Sequence, residues 1–362
     1  MVESKEARGN ISTVLLIQND CESIKKLVLN FHDSIFCMQI IPYMALFCRS
    51  YQEYIETELI GSKVDSEIYD IRNSIKLYSQ RYGKNKKRFL AVDEGQDEEY
   101  KSKLRFFLKN MNVHYNLGIY FTENKKIIGN TQLLESMLRL HGLSEQEKQQ
   151  KCFSLGNHLA SVIGSVSNSL DSSLVVPQIA IKGQLPRFSY YDLNTNRNRF
   201  FNRYFEKDEN LFLLHMLSNI NFVKYVLCPL LERDNLWMFR IKYISIYHAY
   251  MGIVRIKSHM KNDRAEMLDL LKGAEPIIEE GEEVFVSKFR NCMMHYNLSK
   301  DNEFTISERN FSWDKPFFGL IEECFEGVPY EVYVKRLERL GDKIEDFITK
   351  QFNFEQIHLK EL

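Results

Sequence analysis

The sequence predicts a mainly α-helical fold: two related helical-bundle domains, each with at most a short hairpin or strand. Three observations carry this. Gly (16) and Pro (7) are scarce among 362 residues, whereas sandwiches and barrels consume turn residues at every corner. Apolar residues recur at i, i+4, i+7 along much of the chain, the period of one helix face. A polar motif occurs twice, half a chain length apart.

In chain order, helical periodicity covers 18–60, 64–82, 98–114, 144–168, 209–231, 236–261, 263–274, 282–296 and 329–352. The most apolar stretch, 35–48 (IFCMQIIPYMALFC), is interrupted by Gln39 and Pro42 and falls short of the roughly 20 residues a membrane span needs. Residues 118–129 (GIYFTENKKIIG) read as a small hairpin turning at ENKK, since two β-prone runs flank a polar turn. The segment VVPQIAIKG reads as a short strand beside a linker at about 171–185, where Ser, Asn and Asp give way to Pro and Gly. The acidic runs at 93–99 and 279–283 read as solvated helix starts.

The repeat sets the domain organisation. Residues 108–117 (LKNMNVHYNL) align without a gap on 289–298 (FRNCMMHYNL). Lys109 meets Arg290, Asn110 meets Asn291, His114 meets His295, and Tyr-Asn-Leu follows in both copies. The same register carries Leu159, Ile163 and Val166 onto Leu340, Ile344 and Phe347. Identity of polar residues as well as apolar spacing points to duplication, giving a first domain at 1–170 and a second at 186–362. Upstream, 43–55 (YMALFCRSYQEYI) and 243–255 (YISIYHAYMGIVR) look alike only in another register, as any two amphipathic helices do. The length agrees with two units, because single cores stop growing at about 250–300 residues.

Composition excludes several classes. A net charge of -1 argues against non-specific coating of nucleic acid, though a local basic groove is compatible with it. The seven cysteines are widely spaced, with no C-x-x-C and no zinc-finger spacing, as expected for reduced thiols in a cytoplasmic protein. The N-terminus lacks a basic-then-apolar leader, and no membrane insertion is expected. No Gly-rich phosphate loop, nucleophile elbow or metal-binding carboxylate set occurs, so neither cofactor nor metal is called for.

Each motif ends a helix whose sequence starts acidic and ends basic, in keeping with the macrodipole. Asn and His at i, i+4 share a face, and the long side chain of the preceding cation can swing beside the imidazole. A fixed cation, an amide and a titratable ring together suit metal-free cleavage of an RNA phosphodiester. The 2′-hydroxyl supplies the nucleophile, His moves protons near neutral pH, and Arg matches two phosphate oxygens at once. A His near a helix C-terminus is otherwise a cap for free carbonyls. Tyr115, Tyr296, Leu117 and Leu298 read as packing residues, and Cys292 and Met293 as core.

Arg290-Asn291-x-x-x-His295 resembles the Arg, four to six residues, His signature of the HEPN superfamily. These are helical-bundle domains of toxin, abortive-infection and CRISPR-associated ribonucleases. The resemblance implies paired domains whose motifs face one another across one site. It also implies RNA cleavage without metal to 2′,3′-cyclic phosphate and 5′-hydroxyl ends, in defence or stress. Carried over residue by residue, Arg290, Asn291 and His295 match in full. Asn110 and His114 match in the first copy, where Lys109 replaces Arg and loses the bidentate fork. Arg105 lies one turn before Lys109, outside the signature's spacing.

Two basic stretches are candidate RNA contacts: Arg81, Lys84, Lys86, Lys87 and Arg88, and Arg197, Arg199 and Arg203 with Phe200, Phe201 and Tyr204 between them. The plain alternatives are an exposed inter-helix loop for the first and docking of the linker by aromatics for the second. Partners implied are RNA (tRNA, mRNA or rRNA), a second copy of the chain, and an antitoxin or activating protein. The rival functions are a non-catalytic HEPN protein that binds RNA or a nucleotide, and a helical scaffold or antitoxin-like partner.

Overall fold

The computed structural model describes residues 5–55, 62–75, 82–104, 114–169, 178–259, 265–296, 298–300, 303–355 and 357–361. The protein is mainly helical. In the first half, α1 (Lys5–Asn30), α2 (Ser34–Ile55), α3 (Ser62–Ile75) and α4 (Tyr82–Ser102) lead into a hairpin of β1 (Leu117–Thr122) and β2 (Ile127–Asn130). Then come α5 (Thr131–Met137), α6 (Glu145–Ser169) and β3 (Phe188–Leu193). The second half contains α7 (Lys207–Asn221), α8 (Leu236–His259), α9 (Ala265–Val284) and α10 (Ser287–Met294). It ends with β4 (Ser299–Lys300), β5 (Glu303–Phe304), α11 (Leu320–Cys324), α12 (Tyr330–Thr349) and β6 (Lys360–Glu361).

The hairpin turns where ENKK predicts it. Where one helix is expected over 18–60, Asp33 divides α1 from α2 by accepting the amides of Ile35 (2.9 Å) and Phe36 (3.1 Å), a local alternative to helix continuation. Helix α2 runs through Pro42 and is buried almost all round, as a helix apolar on every face must be. Its Gln39 donates to the Ile128 carbonyl at 2.8 Å, where the β1–β2 register slips and leaves Ile128 unpaired with β1. Gly129 makes room for this: a Cβ there would lie 1.7 Å from the Gln39 amide nitrogen.

Three expectations are corrected. The short strand expected in VVPQIAIKG is absent from its described residues, which are irregular; the strand lies later, at β3. In the described part, the Lys182 amide donates to Leu230 O at 2.9 Å, outside any sheet, and the place beside β1 is taken by FSYYDL, which aligns along all of β1. The basic stretch at 81–88, for which an exposed inter-helix loop was the alternative to RNA contact, forms the first turns of α4 from Tyr82 onward. The acidic runs are not solvated helix starts: Asp93 and Asp97 are buried in the middle of α4, and 279–283 closes α9.

The sheet, in order β2-β1-β3-β6 and antiparallel throughout, takes strands from both halves of the chain. One continuous core does the same, for example through Phe36 and Tyr43 of α2 against Phe222 beyond α7 (ring centroids 6.2 and 6.4 Å). Among the described residues, the helical run Lys207–Leu230 is long and apolar enough to cross a membrane, but 83% of that window is buried inside the protein. All seven cysteines are free thiols; burial pushes Cys21 up to about 12 and Cys292 up to about 11.

Candidate active site

The second motif occupies α10, a short helix separated from α9 by the non-helical Phe285 and Val286. Phe289 anchors it, packed edge-on between Tyr243, Phe325 and Tyr333. With Phe289, Cys292, Met293 and Met294 buried, the helical period turns Arg290 and Asn291 outward. The chain leaves the helix at His295, whose backbone is extended (φ -137°, ψ 149°) and whose amide still donates to Asn291 O at 3.0 Å.

The carbonyls at the end of α10 are capped by others. Arg240 Nε donates to Met293 O at 2.6 Å, and Ser50 Oγ to Met294 O at 3.0 Å. Arg240 also pairs with buried Asp20, which accepts the Tyr296 hydroxyl at 2.6 Å. Tyr296 is thus a core residue, as expected. The capping role open to a histidine at this place is already filled, and the His295 ring is directed elsewhere.

That ring meets Glu53 of α2, from the other half of the chain: Nδ1 lies 2.5 Å from Oε2. An ionised carboxylate can only accept, so Nδ1 carries the proton. The His295 side chain is 39% exposed, and among the described residues Nε2 has no hydrogen-bond partner. Glu53 is held in turn by Arg49 Nε at 2.9 Å. Arg49 donates to Gln52 Oε1 at 2.8 Å and lies 5.2 Å over the ring of Tyr69, an exposed residue of α3. Burial raises the Glu53 carboxyl, but the hydrogen bond and charge of His295, with Arg72 and Arg49, outweigh it and lower it to about 2.

The Arg290 side chain is bonded to groups other than the imidazole. It donates to Asn291 Oδ1 at 2.8 Å and to the Tyr247 hydroxyl at 3.3 Å. Among the described residues no carboxylate lies within ion-pair distance of it, so its charge is available to an incoming anion.

The first motif has a different fate. Lys109, Asn110 and Arg105 lie outside the described residues, as does Arg81. His114 is buried, 6% exposed, with Nε2 2.6 Å from Asp97 Oδ1 and its carbonyl accepting from Asn194 Nδ2 at 2.9 Å. Asp97 also pairs with Lys101 at 2.7 Å. Two residues on, Asn116 donates to Asp93 (3.0 Å) and to Thr195 (2.9 Å). Asp93 collects Gln132 at 2.6 Å and Lys207 at 2.7 Å. This enclosed network ties α4, β1, the loop after β3 and the start of α7 together. Tyr115, expected to pack, is instead 58% exposed. His114 and His295 therefore have separate partners drawn from different elements.

Of the basic stretches, Lys84 and Lys87 are exposed. Lys86 pairs with Asp208 (3.1 Å) and Glu209 (3.3 Å), and Arg88 donates to Ser136 O. Arg197, Arg199 and Arg203 are exposed on a loop whose aromatics dock the turn after α12: Phe200 stacks on Phe352 at 4.9 Å. Arg203 lies over Tyr204 at 4.8 Å.

Searches of protein families, curated proteins and solved structures find no match to this chain.

Sequence reasoning missed Glu53, Arg49 and Tyr247. The signal was an Arg-x-x-Gln-Glu set at 49, 52 and 53, polar residues sharing one face at i, i+3, i+4 of an otherwise apolar helix.

Proposed function

We propose that the chain is a metal-independent endoribonuclease of HEPN type, with His295 as its acid/base and Arg290 as its phosphate clamp. The observation that carries this reading is the state of the His295 ring. It is relieved of capping, fixed at Nδ1 by Glu53 and open at Nε2, five residues along from a cation with no carboxylate partner among the described residues. In the reaction, Nε2 takes the proton of a ribose 2′-hydroxyl as that oxygen bonds to the adjacent phosphorus. The bond from phosphorus to the 5′-oxygen breaks, the departing oxygen takes a proton from water, and the hydroxide left takes the proton from the His295 imidazolium, restoring the base. Arg290 neutralises the charge that builds on the phosphoryl oxygens. The products are a 2′,3′-cyclic phosphate and a 5′-hydroxyl. His114 of the first motif, enclosed by Asp97, supports the fold that holds this site.

Purified protein incubated with single-stranded RNA and EDTA is expected to release fragments with those ends. His295→Ala should lower the rate by at least about 10²-fold, and Arg290→Ala by about 10²–10³-fold. Absence of cleavage, or cleavage that the His295→Ala protein retains, refutes the proposal.

A further inference from the structure

We infer that Glu53 is the positioning residue of this site, fixing the His295 ring so that Nε2 is the atom presented to substrate. The inference rests on the nuclease reading for its consequence and on geometry alone for its content.

The two histidines of the repeat provide an internal comparison. Each pairs with a carboxylate, but through opposite nitrogens. His114 spends Nε2 on Asp97, and its Nδ1 is buried with no partner among the described residues. His295 spends Nδ1 on Glu53, and its Nε2 stays at the surface. Only the second arrangement offers a lone pair to an outside molecule. A carboxylate at Nδ1 selects the tautomer protonated there and orients the ring, whereas a free imidazole favours the proton on Nε2.

The carboxylate is itself immobilised. Glu53 stands on α2, which is buried along most of its length, and Arg49 one turn earlier grips the other carboxylate oxygen. Gln52 and the Tyr69 ring hold Arg49 in turn. A chain of four contacts thus runs from a core helix to the ring. The two halves of the molecule meet at the site, and the first half contributes Glu53 rather than His114.

A purely structural tie between α2 and α10 would use the same contact, so the test reads the ring. Long-range 1H–15N correlation spectra on labelled full-length protein, at a pH where the imidazole is neutral, report which nitrogen is protonated. The His295 signal is assigned by its loss in His295→Ala. In wild type the proton is expected on Nδ1; in Glu53→Ala it should redistribute towards Nε2, and Glu53→Asp should restore part of the Nδ1 form. A wild-type ring protonated on Nε2, or one unchanged by Glu53→Ala in a protein that melts as a folded chain, overturns the inference whatever the cleavage assay gives.

Cleavage reads the consequence separately. Glu53→Ala should lower kcat by about 10–100-fold with KM within about threefold, because a positioning residue acts on the chemical step. If wild type cleaves and His295→Ala does not, yet Glu53→Ala cleaves at the wild-type rate, the positioning role fails while the nuclease stands. If wild type does not cleave, the nuclease reading fails and the tautomer still decides the role of Glu53.

Discussion

Among the described residues, the His295 ring is joined to the rest of the protein by one short contact at Nδ1, and the charge on Glu53 holds that contact together. The Glu53 carboxyl is depressed from the usual 4.5 to about 2. A depressed carboxyl contributes stability that is fully present above its unfolded value and is lost as pH falls through its folded value. The difference in unfolding free energy between wild type and Glu53→Gln is therefore expected to shrink as pH falls from about 4.5 and to be lost below about pH 2. Urea denaturation at a series of pH values measures this. A difference that stays constant down to pH 2 would show that the charge on Glu53 is not what binds the ring. Arg290-Asn291-x-x-x-His295 was legible in the sequence because its residues are neighbours on one helix. Glu53 was not, because it lies 242 positions from His295 and only tertiary packing joins them.

Among the elements, α2 both supplies Glu53 and supports the hairpin. Its Gln39 takes the Ile128 carbonyl at the slip in register, and Gly129 leaves the room. Gly129→Ala would drive its Cβ into the Gln39 amide, forcing that side chain off the carbonyl it satisfies. Loss of a buried hydrogen bond that leaves one partner unpaired costs about 1–3 kcal/mol. Gln39→Ala should cost a similar amount, and the double variant should cost clearly less than the sum, since both remove one interaction. Strict additivity in chemical denaturation would contradict the coupling. The hairpin was legible from its turn residues. The place of β3 was not, because pairing with β1 crosses the rest of the first domain and the linker and leaves no local period in the sequence. Helix α4 was misread for a related reason. Its charged residues look solvated, yet Asp93 and Asp97 face inward and are matched by Asn116, Gln132, Lys207 and His114, which come from distant parts of the chain.

In the whole molecule, the described residues of the two copies stand differently. His114 and Asn116 of the first are closed into a polar network that binds α4, β1 and α7; His295 of the second stands at the surface, where α2 meets α10. The helical architecture was legible from scarce Gly and Pro and from apolar period, both of which act over one or two turns. The joining of both halves into a single core and a single sheet was not, because it depends on contacts between residues far apart in the chain. The asymmetry between the two histidines leads to one direct comparison, made on RNA in the presence of EDTA with rates normalised to the folded fraction. His295→Ala is expected to lose at least about 10²-fold in kcat, while His114→Ala lowers the melting temperature and keeps kcat within about threefold, as loss of a buried hydrogen-bonded group away from the chemistry should. Equal loss of kcat in the two variants would contradict the assignment of cleavage to the open histidine alone.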